Sequence, residues 1–331
     1  MKYRTLGRTN LLVSELGFGC GAVGGLLVKG EHQEMVRVVA RAIELGVNYF
    51  DTARIYGDGK SETNLGLVLE ELGADVLVGT KVRLTANDME RIESAIVESV
   101  EGSLRRLRRE CIDLIQLHNP IALRRHPDQG WMGVGDIEPA MDAFRNFQEK
   151  GKVCFWGING LGETKALHQV IAAGTADTIQ SCYNLLNPTA GMQAPAEFPF
   201  QDYQRLIDKA AENQMGVIAI RVLAAGALSG TTTRHPNAAQ SVDPIASGRS
   251  FAEDVERAKA FDFLVKEGYT DHPVEAAIRF VISKAEVSTA LVGISNMEQL
   301  EQAVVYVNRG PLPTEALNRL AEVWPAIWRA G

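Results

Sequence analysis

Four residues of this chain have the types and spacing of a proton-transfer apparatus. Asp51 and Tyr56 stand in Asp51-Thr52-Ala53-Arg54-Ile55-Tyr56-Gly57, Lys81 in Val78-Gly79-Thr80-Lys81-Val82, and His118 in Leu114-Ile115-Gln116-Leu117-His118-Asn119-Pro120. A free tyrosine is an indifferent acid, with a pKa of ~10. A neighbouring ammonium stabilises its phenolate, and a lysine out of water keeps its charge only where an anion holds it. Lys81 is the candidate cation, Asp51 the anion that holds it, Tyr56 the proton carrier, and His118 a hydrogen-bond partner that orients the reacting oxygen. The chemistry expected is proton exchange with a carbonyl or alcohol oxygen, with no metal assigned. Any one of the four has an ordinary structural role open to it, such as a helix cap or a rim aromatic. Together they point to a site, because all fall at the ends of successive strand-like runs.

Eight such runs recur along the chain: Leu16 to Cys20, Val47 to Asp51, Asp75 to Lys81, Ile112 to His118, Val153 to Ile158, Thr178 to Tyr183, Val217 to Val222 and Thr289 to Gly293. Helical patterns lie between them. In Glu34 to Leu45, Met35, Val38, Val39, Ala42 and Ile43 recur at three- and four-residue steps and share a face, and Gly46 then fits a helix stop. Unbroken alternation of strand and helix predicts the α/β class and a (β/α)8 TIM barrel, whose chemistry sits at the C-terminal ends of its strands. The opening Tyr3 to Ser14, with Gly7 and Asn10 at its turn, reads as an N-terminal β-hairpin cap. Long loops are expected at the C-terminal face: Asn119 to Asp136, Gly230 to Phe251 and part of the tail Gly310 to Gly331 are expected to wall the pocket. No linker divides residues 1–331, which predicts a single domain.

The 331 residues carry 34 basic and 41 acidic side chains, a net charge of −7, and no long basic run, which argues against nucleic acid or an anionic membrane as partner. No apolar run has the length of a membrane span, so a cytoplasmic enzyme is expected. Cys20, Cys111, Cys154 and Cys182 lack the C-x-x-C spacing and are expected to be reduced and buried. Gly19-Cys20-Gly21-Ala22-Val23-Gly24 matches G-x-G-x-x-G literally, yet Gly25 and Gly30 precede the first helical periodicity. A dinucleotide fingerprint opens its helix at the glycines, so this loop instead predicts close backbone approach to a ligand at the barrel mouth.

The motifs Asp51-Thr52-Ala53-x-x-Tyr56-Gly57, Gly79-Thr80-Lys81 and Leu117-His118 closely resemble those of the aldo-keto reductase superfamily, over essentially the whole chain. The resemblance implies hydride transfer between a nicotinamide cofactor and a carbonyl or alcohol: an aldehyde, a ketone or a sugar hemiacetal. It implies Tyr56 as general acid or base, Lys81 and Asp51 as the pair that sets its pKa, and His118 as the residue that orients the carbonyl. For the cofactor it implies Asn159 and Gln180 at the nicotinamide amide, with Gly160 where many members have a polar side chain. After the seventh strand, where the family segment differs, Arg221 can meet a phosphate through its guanidinium or form an ion pair at the barrel rim, with Leu223 and Gly226 beside it as candidate cofactor contacts, and the resemblance implies Gly293, Ser295 and Gln299 around the adenosine half. Where many members have a tyrosine stacking on nicotinamide, this chain has Ile220. Many NADP(H)-dependent members carry a basic residue where Ser295 stands, so NAD(H) is favoured slightly, with Arg234 or Arg249 as alternative cations. The segments around Arg221 and Ser295 are similar to a branch of sugar and pyridoxal dehydrogenases. Trp131, Trp156 and Tyr183 are expected to wall the substrate. A cofactor-binding redox-sensing subunit and a non-redox lyase or isomerase on the same barrel are the alternative readings.

Overall fold

The structure, a computed structural model, describes residues 1–195 and 198–329. Two short strands, β1 (Tyr3–Thr5) and β2 (Leu12–Ser14), pair antiparallel. Between them Gly7 and Asn10 adopt left-handed φ values of 52° and 57°, the conformation expected from their side chains. A Cβ on Gly7 would collide with the backbone of Met215 and Gly216, so the hairpin lies hard against the barrel floor. Leu6 and Val13 plug that floor against Tyr49, Leu114 and Ile218.

The barrel is formed by β3 (Leu16–Gly19), β4 (Tyr49–Asp51), β5 (Leu77–Val82), β6 (Ile112–Leu117), β9 (Val153–Asn159), β10 (Thr178–Cys182), β11 (Gly216–Ile220) and β12 (Val287–Gly293), all parallel and closed in sequence order. Each of the eight strand-like runs becomes one barrel strand. The second is shorter than its pattern because Val47 is spent in the turn that ends the preceding helix: its N–H bonds back to Ala42 O at 2.9 Å. That helix runs His32–Glu44 and buries Met35, Val38, Val39 and Ala42, and Gly46 stops it at φ 90°. The seventh strand ends at Ile220, and the chain leaves it through Arg221 at φ 58°. The glycine segment does not open a dinucleotide-type helix. One helical turn, Leu26–Lys29, follows Gly25, and Gly30 ends it before the long helix begins.

Of the three long segments, only one forms a substantial wall. Residues 119–136 fold on themselves through β7 (Ile121–Ala122) and β8 (Met132–Gly133), and only Pro120 of the segment reaches the cavity. The tail instead forms a helix, Thr314–Arg329, whose Trp324 donates to Leu185 O at 2.9 Å and packs on Phe280. It turns inward there and lines none of the cavity; Ala330 and Gly331 of that expected wall lie outside the described residues. Cys20 and Cys182 are buried, but Cys154 is exposed and Cys111 half-buried, their sulfurs 3.2 Å apart at the start of β9 and just before β6. Among the described residues no helix is long and apolar enough to cross a membrane.

Candidate functional site

Strand alternation decides which side chains enter the barrel. Tyr49 and Asp51 on β4, Lys81 on β5 and Gln116 on β6 point inward, and the registers Asp51↔Gly79 and Lys81↔Gln116 set their levels. Asp51 and Lys81 end up almost fully buried and in direct contact through Oδ1 and Nζ. Lys81 Nζ also donates to Thr52 O at 2.8 Å and to the Tyr56 hydroxyl oxygen at 3.3 Å. The His118 ring meets Tyr56 edge-on, centroids 5.9 Å apart. The structure thus brings all four sequence-derived residues together at the C-terminal mouth.

Burial would push the Lys81 ammonium down, but Asp51 and Tyr56 beside it hold it above its ordinary value. Burial pushes the Tyr56 phenol up; Lys81 draws it back only in part while Asp51 adds to the rise. The net effect is a tyrosine above its ordinary value, whereas the ammonium alone predicted a lowering. Its hydroxyl is therefore held protonated, as an acid needs. Burial, then the charges of Lys81 and Arg83, keep His118 well below its usual range, so its ring stays neutral at pH 7, and its buried Nδ1 has no hydrogen-bond partner among the described residues.

Tyr49 is a member of this cluster that the motif reading passed over. Its hydroxyl donates to Asp51 Oδ2 at 3.1 Å, and Gln180 Nε2 donates to the same oxygen at 2.6 Å. A Cβ on Gly79 would strike the Tyr49 hydroxyl, so the glycine before Thr80-Lys81 makes the room for it. Its position two residues before Asp51, on the same strand face, was the available clue.

The tetrad opens into a cavity of 780 Å3, within the range of small-molecule sites. Asn159, Gln180, Arg221, Leu223, Gly226, Gly293, Ser295 and Gln299 all line it. Asn159 Nδ2 donates to His118 O at 2.9 Å, leaving its buried Oδ1 without a partner. An unpaired buried acceptor in a cavity fits an amide donor. Gln180 has given its nitrogen to Asp51, so its oxygen is the atom left to serve a ligand. Gly160, where a side chain was missed, has no room for one: a Cβ there would meet Gln180 O at 2.7 Å.

Arg221 has no carboxylate partner among the described residues; it donates to Asp243 O at 3.0 Å. Ala224 and Ala225 follow it with φ values of 46° and 57°, a strained turn of non-glycine residues at the cavity edge. Arg234, on the one long segment that does wall the cavity, is held by Ala225 O at 2.7 Å and by Ala239 O. Burial and then Arg221 lower its pKa, as expected for two cations with no anion between them. Arg249 lies outside the lining. Ser295 is buried and donates to Gly24 O at 2.6 Å, while its N–H is taken by Gln299 Oε1 at 3.0 Å. A Cβ on Gly24 would collide with the backbone of Ile294, so the glycine loop serves close approach between two loops of the mouth.

The aromatic walls are not where the sequence placed them. Trp156 points outward from β9 and stacks on Phe144 at 5.6 Å, and Tyr183 packs on Phe280 at 4.9 Å, both in the core. Trp131 pairs with His126 inside its own loop and does not line the cavity. The cavity wall is aliphatic instead, with Ile55, Leu161, Ile220 and Val222.

Comparison with known proteins agrees in one direction. The model of the Aldo/keto reductase family matches residues 15–325. The chain is 26% identical to Aldo-keto reductase YhdN of Bacillus subtilis, over 91% of this chain and 87% of that protein. It is 27% identical to L-galactose dehydrogenase of Arabidopsis thaliana, over 93% and 88%. The solved structure of aldo-keto reductase AKR11C1 from Bacillus halodurans (holo form) superposes with a TM-score of 0.71 at 24% identity, covering 98% and 96% of the two chains.

Proposed function

Because the chain belongs to the aldo/keto reductase family, we propose that it interconverts a carbonyl and an alcohol with Tyr56 as the proton-transferring residue. The observation that carries this reading is the contact chain Asp51–Lys81–Tyr56 at the floor of the cavity, with neutral His118 beside the phenol. When bound, a nicotinamide nucleotide supplies or accepts the hydride. Asn159 Oδ1 and Gln180 Oε1 would hold its amide, and Arg221 and Arg234 its phosphates, since guanidinium groups match phosphate oxygens in pairs. Leu223, Gly226, Gly293 and Gln299 complete that side of the cavity.

In the reducing direction His118 and Tyr56 both hydrogen-bond the substrate oxygen and fix the carbonyl against the tetrad. As negative charge develops on that oxygen, the Tyr56 O–H delivers its proton there, and Lys81 stabilises the phenolate left behind. Asp51 keeps Lys81 charged, and Tyr49 and Gln180 keep Asp51 in place. In the oxidising direction the phenolate takes the alcohol proton. The substrate class is an aldehyde, a ketone or a sugar hemiacetal, the last suggested by the likeness to L-galactose dehydrogenase. NAD(H) is the preferred cofactor in this account, because Ser295 is uncharged and its hydroxyl is spent on Gly24.

Tyr56→Phe tests the reading. It removes only the hydroxyl, so turnover of an aldehyde panel should fall by ~10²-fold or more while fluorescence titration gives unchanged cofactor affinity. Turnover within a few-fold of the parent would remove tyrosine as the acid.

A further inference from the structure

The charges lining the cavity are lopsided in a way the tetrad does not require. Among the described residues Asp51 is the sole carboxylate of the lining, and Lys81 holds it. Against it stand three arginines, in a protein of net charge −7. Two of them, Arg221 and Arg234, sit together beyond β11 and are accounted for by the phosphates assigned above. Arg83 is on the other side, and nothing so far uses it.

Arg83 follows directly after β5, which ends at Val82, and its exposed side chain stands on the lining of the cavity at the mouth, two residues beyond Lys81. The register continues from Val82↔Leu117, with His118 N–H donating to Val82 O at 2.7 Å, and this sets Arg83 level with His118 on the adjacent strand. Its root is fixed. The buried Asn119 side chain accepts from Leu84 N–H at 2.8 Å and donates to Leu84 O at 2.8 Å and to Gly130 O at 2.9 Å, tying the exit of β5 to the loop above it. The guanidinium reaches toward the loop above β5: a Cβ on Gly130 would stand 3.5 Å from Arg83 Nη2, an ordinary contact.

The guanidinium itself is unspent. Arg83 has neither an ion pair nor a side-chain hydrogen bond among the described residues, although acids are close in sequence. Asp88 binds Arg91 and Thr85, and Glu90 binds Arg125. A cation left unpaired beside the residue that orients the carbonyl has an anion-binding role open to it. One planar guanidinium matches the two oxygens and single charge of a carboxylate.

We propose that Arg83 is a specificity-determining residue that binds a carboxylate on the substrate, so that the preferred substrate is an oxo acid, or the matching hydroxy acid, with its carboxylate a few bonds from the reacting carbon. The proposal rests on the oxidoreductase reading above and narrows it. It requires no change in the chemistry of Tyr56.

The test compares 4-oxobutanoate with butanal, which differ in the carboxylate, using the parent protein, Arg83→Gln and Arg83→Lys with the cofactor each protein binds. The parent should favour 4-oxobutanoate in kcat/KM by about tenfold or more, the size of a charge-assisted bond. Arg83→Gln should lose that preference through KM, and Arg83→Lys, which keeps the charge without the fork, should fall between. Butanoate should inhibit butanal turnover competitively in the parent and far more weakly in Arg83→Gln, a readout that needs no turnover of the acid. Equal preference for the two aldehydes in the parent, or a preference that survives Arg83→Gln, overturns the inference and leaves the oxidoreductase reading standing. Absence of cofactor binding and of turnover of either aldehyde overturns both.

Discussion

Lys81 works against the burial that surrounds Tyr56. Burial raises the phenol, the ammonium lowers it, and the balance in this structure leaves it above its ordinary value. Removing the ammonium in Lys81→Met leaves burial and the Asp51 charge, both of which raise the phenol further. Alcohol oxidation needs phenolate, so its rate rises as pH climbs through the tyrosine pKa. In Lys81→Met that rising limb should move to higher pH, and the maximal rate should fall because the phenolate loses its counterion. A pH–rate profile of alcohol oxidation checks this; a limb at the parent's position would show that Lys81 does not set the tyrosine. The tetrad was legible in the sequence because its four residue types fall at regular places relative to strand ends. Arg83 was equally regular, two residues beyond Lys81, but a lone arginine is usually solvated, and only the structure placed it on the cavity lining without an ion-pair partner among the described residues.

At the scale of elements, the site depends on strand faces as much as on motifs. Gly79 exists to admit Tyr49, whose hydroxyl steadies Asp51 from within the barrel. Gly79→Ala places a methyl group against that hydroxyl and should destabilise the fold by about 1–3 kcal/mol, an overpacking cost. It should also reduce turnover at temperatures where the protein remains folded, by displacing Asp51 and, through it, Lys81. Denaturant unfolding together with kcat measures both; parental stability and rate would mean that Tyr49 moves aside without consequence. The same strand logic shows why the aromatic walls misled. Trp156 and Tyr183 look like pocket aromatics from composition alone, but parity along β9 turns Trp156 out toward Phe144, and Tyr183 follows the end of β10 onto Phe280. The eight barrel strands were readable from alternating apolar runs. The tail was not, because helix Thr314–Arg329 has a strong apolar face and nothing in its sequence says which surface that face will cover.

For the whole molecule, a closed parallel barrel plugged below by the hairpin leaves one end for chemistry, and there a net-negative chain gathers Arg83, Arg221 and Arg234 around a 780 Å3 cavity. Arginines without an ion-pair partner among the described residues are expected where anions bind. The account therefore stands or falls on whether a nicotinamide nucleotide occupies that cavity. The most direct measurement is a parallel titration of the purified protein with NADH and NADPH, followed by quenching of its tryptophans and energy transfer to the reduced nicotinamide. Saturable binding in the micromolar range is predicted, tighter for NADH because Ser295 offers no charge to a 2′-phosphate. Tighter binding of NADPH would transfer that role to Arg234. Binding of neither, by protein that carries no nucleotide already, would contradict the central claim.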